Sequence, residues 1–280
     1  MWPRLGARGP KRGPRLDIIT WMSTRDFAAL DAYQLLPRVL TGIEQAELRT
    51  HMLGLPLAHP MVPRRKRVAQ LPGTGLALFG ADEALDGANK HPPEQTIALL
   101  PVDRMGVLIS RVGQLAERGV AAVALDMTPV ADSAPYDERP WRPRTREEVA
   151  ELRAAAGRPL WVVGLGSAAD AEVAAEAGAD GVVVGSELGR RIGAPPVISV
   201  LPEVIDAVGG MLTIVAGGPV RDGVDVLRYL AVGAELVVVD GERSLDSLAA
   251  ELAYAMRLTG CADVTDIGYE VLFAPLFGES

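Results

Sequence analysis

Five charged side chains stand at or just beyond the ends of short apolar runs in this 280-residue sequence: Asp126, Glu187, Arg190, Asp240 and Glu242. Carboxylates so placed can act as general acids or bases. An arginine offers a planar fork that grips a carboxylate by two hydrogen bonds. Taken singly, each is equally well a solvated turn residue, and Arg190 is equally well a partner for Glu187 three positions before it. Other chemistries find less support. Ser186 has no histidine nearby and no GxSxG elbow, so nucleophilic hydrolysis is not expected. His51, His59 and His91 are scattered without ligand spacing and read as surface or packing residues, so no metal site is expected. Of the three, His59 lies in the first apolar run and is the one placed nearest the expected site. Cys261 is the single cysteine, which excludes an internal disulfide, suits a reducing cytoplasm and reads as a small buried hydrophobe.

The elements that must position these residues are clearest between Leu201 and Glu242. LPEVIDAVGG reads as a helix, MLTIVAGG as a buried strand, VRDGVDVLRYLAVGAE as a second helix and LVVVDGE as a second buried strand. The β-branched runs lack polar alternation, as strands buried on both faces do. The same unit recurs upstream in PLAHPMV (56–62), GLALFG (75–80), TIALLP (96–101), ERGVAAVALDM (117–127), PLWVVGL (159–165) and GADGVVVG (178–185). Eight strands with intervening helices predict an α/β fold, a single (β/α)8 TIM barrel. No GxGxxG follows an early strand, which argues against a dinucleotide-binding sheet. TRDFAALDAYQLL and GIEQAELRTHML predict a short helical layer over 24–53. The gap between the first two strands, about ten residues, leaves the first barrel helix short or absent. PRRKRV (63–68) within that gap reads as a solvated turn, or less readily as a phosphate cluster. The proline-rich segment 130–146 reads as a roof over the strand ends, with Tyr136 and Trp141 as lid residues or packing anchors.

Lys and Arg number 28 against 36 Asp and Glu, a net charge of −8, so a nucleic-acid surface is not favoured. The basic start (Arg4, Arg8, Lys11, Arg12, Arg15) reads as a flexible arm over 1–23, with a targeting role as the sharper alternative. It lacks the apolar stretch of a secretory signal, and no run approaches the roughly 20 apolar residues of a membrane span. A cytoplasmic protein without nucleic-acid or membrane partners is expected, its barrel over 24–268. The apolar tail 269–280 is expected to dock on the barrel or to meet another subunit.

ALDAYQLLPRVL (29–40), EAGADGVVVG, LPEVIDAVGG, VAGGPVRDGVDVLRYLAVGAELVVVDG and ELAYAMRLTGCADVTDI (251–267) occur in this order. Together they resemble the FMN-dependent α-hydroxy-acid oxidases and dehydrogenases, the lactate and glycolate oxidase group. The resemblance runs from about Ala29 to Ile267 and implies a TIM barrel holding FMN at its C-terminal mouth, where a 2-hydroxy acid is oxidised by hydride transfer.

The positions that resemblance assigns to chemistry depart from the family. Its Ser-Asn-His-Gly-Gly-Arg becomes Gly185-Ser186-Glu187-Leu188-Gly189-Arg190, which puts Glu187 at the place of the proton-accepting histidine and keeps only Arg190, the substrate-carboxylate arginine. Its Val-Lys-Gly becomes Val162-Val163-Gly164. Its Thr-Val-Asp-Thr-Pro becomes Leu125-Asp126-Met127-Thr128-Pro129, which moves the acid by one position and is expected to turn Asp126 to the other strand face. Its Gln-Leu-Tyr becomes Ile97-Ala98-Leu99. Its phosphate strand Asp-Gly-Gly becomes Ala216-Gly217-Gly218, and its final Gly-Arg becomes Gly241-Glu242. Gly217, Gly218, Gly241 and Arg221 are left as a residual phosphate site, with Arg221 displaced by Pro219-Val220.

Each lost charge-assisted contact is worth on the order of 1.5–3 kcal/mol, so FMN binding is expected to be weak or lost. The expectation is a diverged family barrel without its flavin oxidation, acting as a non-catalytic ligand-binding or partner subunit in a homo-oligomer or beside a catalytic partner. The alternative is an enzyme with a rebuilt site, flavin-dependent or flavin-free, in which Asp126, Glu187 and Arg190 act on an anionic, carboxylate-bearing substrate.

Overall fold

In the computed structural model, which describes residues 15–65, 75–128, 142–185, 193–240 and 244–273, eight parallel strands close into a barrel. A small hairpin, β1 (Thr50–Met52) and β2 (Leu55–Leu57), precedes them. The barrel strands are β3 (Met61–Arg65), β4 (Ala77–Gly80), β5 (Thr96–Pro101), β6 (Ala122–Asp126), β7 (Leu160–Leu165), β8 (Gly181–Gly185), β9 (Thr213–Gly217) and β10 (Leu236–Asp240). Each pairs with the next, and β10 returns to β3 through Val237–Met61 to Asp240–Arg64. This is the expected TIM barrel.

Burial on both faces explains why the strands lack alternation. One face of each fills the lumen, where Val62, Leu78, Ile97, Ala124, Trp161 and Val215 form one cluster. The other face, with Val123, Leu125, Val162 and Val237, packs outward against helix residues such as Leu108, Leu152 and Leu252. Trp161 is fully buried low in the lumen. It fits only because Gly181 lies beside it: a Cβ there would fall 2.9 Å from the indole nitrogen.

The described helices are α1 (Arg15–Ala32), α2 (Ala81–Leu85), α3 (Met105–Arg118), α4 (Arg146–Ala156), α5 (Ala168–Glu176), α6 (Val197–Val208), α7 (Gly223–Ala231) and α8 (Leu245–Thr259). Thr145 starts α4 with a capping box closed by Glu148, which fixes where the proline-rich segment ends. The helix after β4 has five residues. Most of the link between β3 and β4, the place of the expected reduced first helix, lies outside the described residues.

Three expectations are corrected. Residues 43–53 are not helical. They run irregularly into the β1–β2 hairpin, whose Met52, Leu53 and Leu55 pack onto the floor of the lumen. The hairpin buries the apolar residues that helical spacing would have buried, and Gly54 at φ +75 supplies the reversal. The N-terminal arm is helical from Arg15, a stretch free of glycine and proline. PRRKRV does not begin as a turn, because β3 continues through Pro63 to Arg65.

Residues 34–38 lie along the end of α8 and the chain's last described turn, with Leu36 N–H donating to Val271 O and Arg38 N–H to Leu258 O. Val271 and Leu272 are buried there, whereas Tyr269 and Phe273 are half exposed. The rest of the expected tail, 274–280, lies outside the described residues. No described helix is long and apolar enough to cross a membrane.

Candidate functional site

The C-terminal ends of the strands surround a recess of about 40 Å³. Leu78, Leu99, Val163, Val183 and Val238 form its floor and walls, and Gly164, Gly185 and Gly217 its low rim. Val163 holds the position at which resemblance places a lysine, and it faces this recess. Directly after it β7 bulges at Gly164. The φ of +89 at Gly164 and its closeness to Thr128, whose Oγ1 would lie 2.9 Å from a Cβ added there, admit no side chain. Gly217 is equally confined, since a Cβ would meet Val183 Cγ1 at 2.9 Å.

One ion pair crosses this apolar mouth. Arg64, on β3, reaches Asp126, on β6, at 3.7 Å, although β4 and β5 stand between them in the barrel. The separation exceeds hydrogen-bond range, so the contact is Coulombic alone. Asp126 is 8 % exposed. Its Oδ1 accepts the Thr128 N–H at 3.0 Å, and Oδ2 faces the guanidinium. The expected reversal of Asp126 does not occur. Ala122 and Ala124 belong to the lumen cluster, and Asp126, two positions on, continues that face.

Arg221 does not face the recess. Its guanidinium hydrogen-bonds Asp225 and Asp31 and stacks on Phe27 at 4.6 Å. Arg228 joins the same carboxylates at 2.9 and 3.1 Å and donates to Tyr33 O. The reason is Asp225, whose side chain is fully buried. A charge so placed requires partners, and the two arginines provide them while tying α1 to α7. Burial would raise the Asp225 carboxyl, but Arg221 and Arg228 outweigh it and hold it below the usual carboxylate value. The two arginines also lower that of the exposed Asp31, with hydrogen bonding by Arg221 the chief cause.

Gly218 turns toward α7, not the mouth, with Tyr229 against its Cα. Glu187, Arg190, Gly241 and Glu242 lie outside the described residues, as do Tyr136 and Trp141. Asp240 closes β10 opposite Arg64 in register. His59 precedes β3 and therefore sits at the end of the barrel away from the mouth, where burial lowers its pKa. His91 tilts against Phe79 at 5.2 Å and contacts Gln95 O. Cys261 is buried, and burial raises its thiol pKa. Among the described residues no group of three or more His, Cys, Asp and Glu could hold a metal ion.

Sequence reasoning gives Arg64 only a place within PRRKRV, as turn or phosphate cluster, and misses its pairing with Asp126. Extending the strand from Val62 by two residues puts Arg64 on the lumen face, a signal hidden by ending the strand at Val62.

Residues 114–274 match the family profile described as FMN-dependent dehydrogenase. An L-lactate dehydrogenase of Caulobacter vibrioides is 40 % identical over 129 residues, 41 % of this chain and 34 % of that relative. A 4-hydroxymandelate oxidase of Amycolatopsis orientalis is 37 % identical over 150 residues, 48 % of this chain and 42 % of that relative. The matched stretch thus spans less than half of these curated relatives. Among solved structures, a lactate oxidase described as putative from Pediococcus acidilactici superposes with a TM-score of 0.73 at 22 % identity, covering 90 % of this chain and 86 % of that one. At that identity the likeness concerns the fold.

Proposed function

This chain belongs to the FMN-dependent dehydrogenase family, and from that premise we propose that its barrel has given up flavin-dependent hydroxy-acid oxidation and serves as a non-catalytic, ligand-binding subunit. The observation that carries the reading is the Arg64–Asp126 pair lying across the mouth above an apolar floor.

The described residues fit FMN poorly. An isoalloxazine ring has a polar edge that wants hydrogen-bond donors and a cation; the recess offers mostly Leu78, Leu99, Val163 and Val183, and Arg64, the cation in its lining, is paired with Asp126. A planar ring over the mouth would also have to displace Arg64. The phosphate end fares no better, because Arg221 is committed to Asp225 and Asp31. An anionic ligand held by Arg190, and a homo-oligomer or a complex with a catalytic partner, remain parts of the proposal. For assembly the support is an exposed apolar strip, in which Val39 is 73 % and Leu40 99 % exposed.

The second reading, a rebuilt active site, is favoured by Asp126 itself, a mostly buried carboxylate in the mouth. Absorbance of the purified chain, followed by titration with FMN, tests the first. A colourless protein that leaves FMN fluorescence unchanged at micromolar concentration is expected. A bound flavin spectrum would refute it.

A further inference from the structure

The Arg64–Asp126 pair has two properties that a purely structural ion pair does not need. The first is that it is incompletely used. At 3.7 Å the two groups attract without sharing a hydrogen bond. Asp126 spends Oδ1 on the Thr128 N–H, and its Oδ2 meets Arg64 only at 3.7 Å, beside the recess that Arg64 and Thr128 line. No hydrogen bond joins the Arg64 guanidinium to another described residue, and its side chain is 34 % exposed. The second is that the pair overlooks an apolar recess whose floor carries no hydrogen-bonding side chain apart from Thr128.

We propose that the mouth binds a small aliphatic α-amino acid, its carboxylate on Arg64, its ammonium on Asp126 Oδ2 and its side chain against Leu78, Leu99, Val163 and Val183. An anion alone would meet Arg64 but also the neighbouring Asp126, which repels it. A cation alone would meet the converse. A ligand carrying both charges on one carbon completes an alternating ring of four charges. The chain already builds such a ring on its outer side from Asp31, Arg221, Asp225 and Arg228. The arginine fork matches a carboxylate with two hydrogen bonds. An ammonium offers Asp126 the charge-assisted donor that Arg64 does not supply. The valines and leucines below favour an aliphatic side chain, and a 2-hydroxy group, although it can donate to Asp126, brings no positive charge to it.

This assignment rests on the mouth being free of flavin, and the two can fail separately. A flavin spectrum removes the proposed function, whereas a colourless protein that ignores amino acids removes only this inference. The test is calorimetric titration of the intact chain with L-alanine and L-valine, beside L-lactate and propionate as hydroxyl-bearing and unsubstituted counterparts. The amino acids are expected to bind and the other two to bind at least tenfold more weakly. Asp126→Asn should lower amino-acid affinity by roughly 10- to 100-fold, the loss of one charge-assisted contact, while narrowing the gap to lactate. Arg64→Lys, which keeps the charge but not the fork, should weaken all carboxylates. Melting curves separate these effects from misfolding. Lactate or propionate binding as tightly as alanine, an Asp126→Asn variant with unchanged selectivity, or no binding by any of the four would overturn the proposal.

Discussion

The Cα of Gly218 and the hydroxyl of Tyr229 approach so closely that a Cβ on Gly218 would clash with Tyr229 Oη. Tyr229 is 1 % exposed, and its hydroxyl donates to Pro219 O at 3.3 Å. Burial pushes its phenol pKa well up, so that proton stays in place. The glycine pair that resemblance assigns to a phosphate thus has a structural reason to be glycine, whatever became of the cofactor.

Gly218→Ala should therefore destabilise the fold by about 1–3 kcal/mol, the usual cost of overpacking. Tyr229→Phe removes the offending oxygen along with one hydrogen bond. The double variant should lose less than the two single changes added together, a positive coupling read from urea unfolding curves. Strict additivity would mean that the backbone relaxes away from Tyr229.

Asp225 predicts an acid limb of stability. Its folded-state pKa is depressed by the arginines despite burial. Its contribution is therefore complete above the unfolded carboxylate value of about 3.9 and is lost as pH falls through the lower folded value. Asp225→Asn leaves Arg221 and Arg228 short of a partner and should cost about 3 kcal/mol at neutral pH. It should also flatten the fall in stability below about pH 4. Unfolding measured at neutral pH and through that acid range decides, and parallel acid limbs would contradict the assignment.

Much of this is legible in the sequence, and the exceptions have physical reasons. Seven of the eight barrel strands coincide with uninterrupted β-branched or leucine runs, because burial on both faces leaves such runs no polar residue. The eighth, β3, continues past the run that predicts it. Pro63 and two arginines end its apolar run, yet Arg64 tolerates the lumen face because its side chain stays partly exposed and Asp126 faces it. The hairpin at Thr50–Leu57 reads as helix because leucines at helical spacing do not reveal that they cover a barrel floor. A motif alignment puts Asp126 on the wrong face because it counts residues, whereas the strand alternates from Ala122. It gives Arg221 to a phosphate because sequence does not show that Asp225, four positions on, is wholly buried.

Lactate, glycolate and mandelate should not be oxidised at enzymatic rates. A positioned general base contributes roughly 10²–10⁴-fold, and Glu187 stands where the resemblance places that base. Val163 stands where the resemblance places a lysine beside the reduced flavin, and Arg64, the cation lining the mouth, is paired with Asp126. Dye reduction by the purified chain, with added FMN, should stay at background for all three acids. Turnover of order 1 s⁻¹ or faster, ordinary for enzymes, would overturn both the prediction and the proposed loss of function.

The last prediction concerns assembly. Leu36, Val39 and Leu40 lie on or just beyond the segment whose backbone is tied to Val271 and Leu258, and Tyr269 and Phe273 lie at the turn it pairs with. Val39, Leu40, Tyr254, Tyr269 and Phe273 are each at least half exposed, from 50 % at Phe273 to 99 % at Leu40. Scattered apolar residues are ordinary on a surface, but a group of them gathered by one backbone pairing points to a contact. The last described residues divide between two tasks, since Val271 and Leu272 are buried against the chain itself. Truncation after Gly268 would strip those two as well, at about 1.5–3 kcal/mol for each large apolar side chain, and would confuse folding with assembly. Replacing only exposed residues avoids this. Val39→Ser with Phe273→Ser should leave the melting temperature nearly unchanged, because neither contributes much to the core. Light scattering at micromolar concentration should give the parent chain a mass at least twice the 29.6 kDa of one copy. The variant should move toward that single-copy mass. A parent chain that already runs as one copy would show that the group does not join copies of this protein, and would leave a different partner as the only occupant to seek.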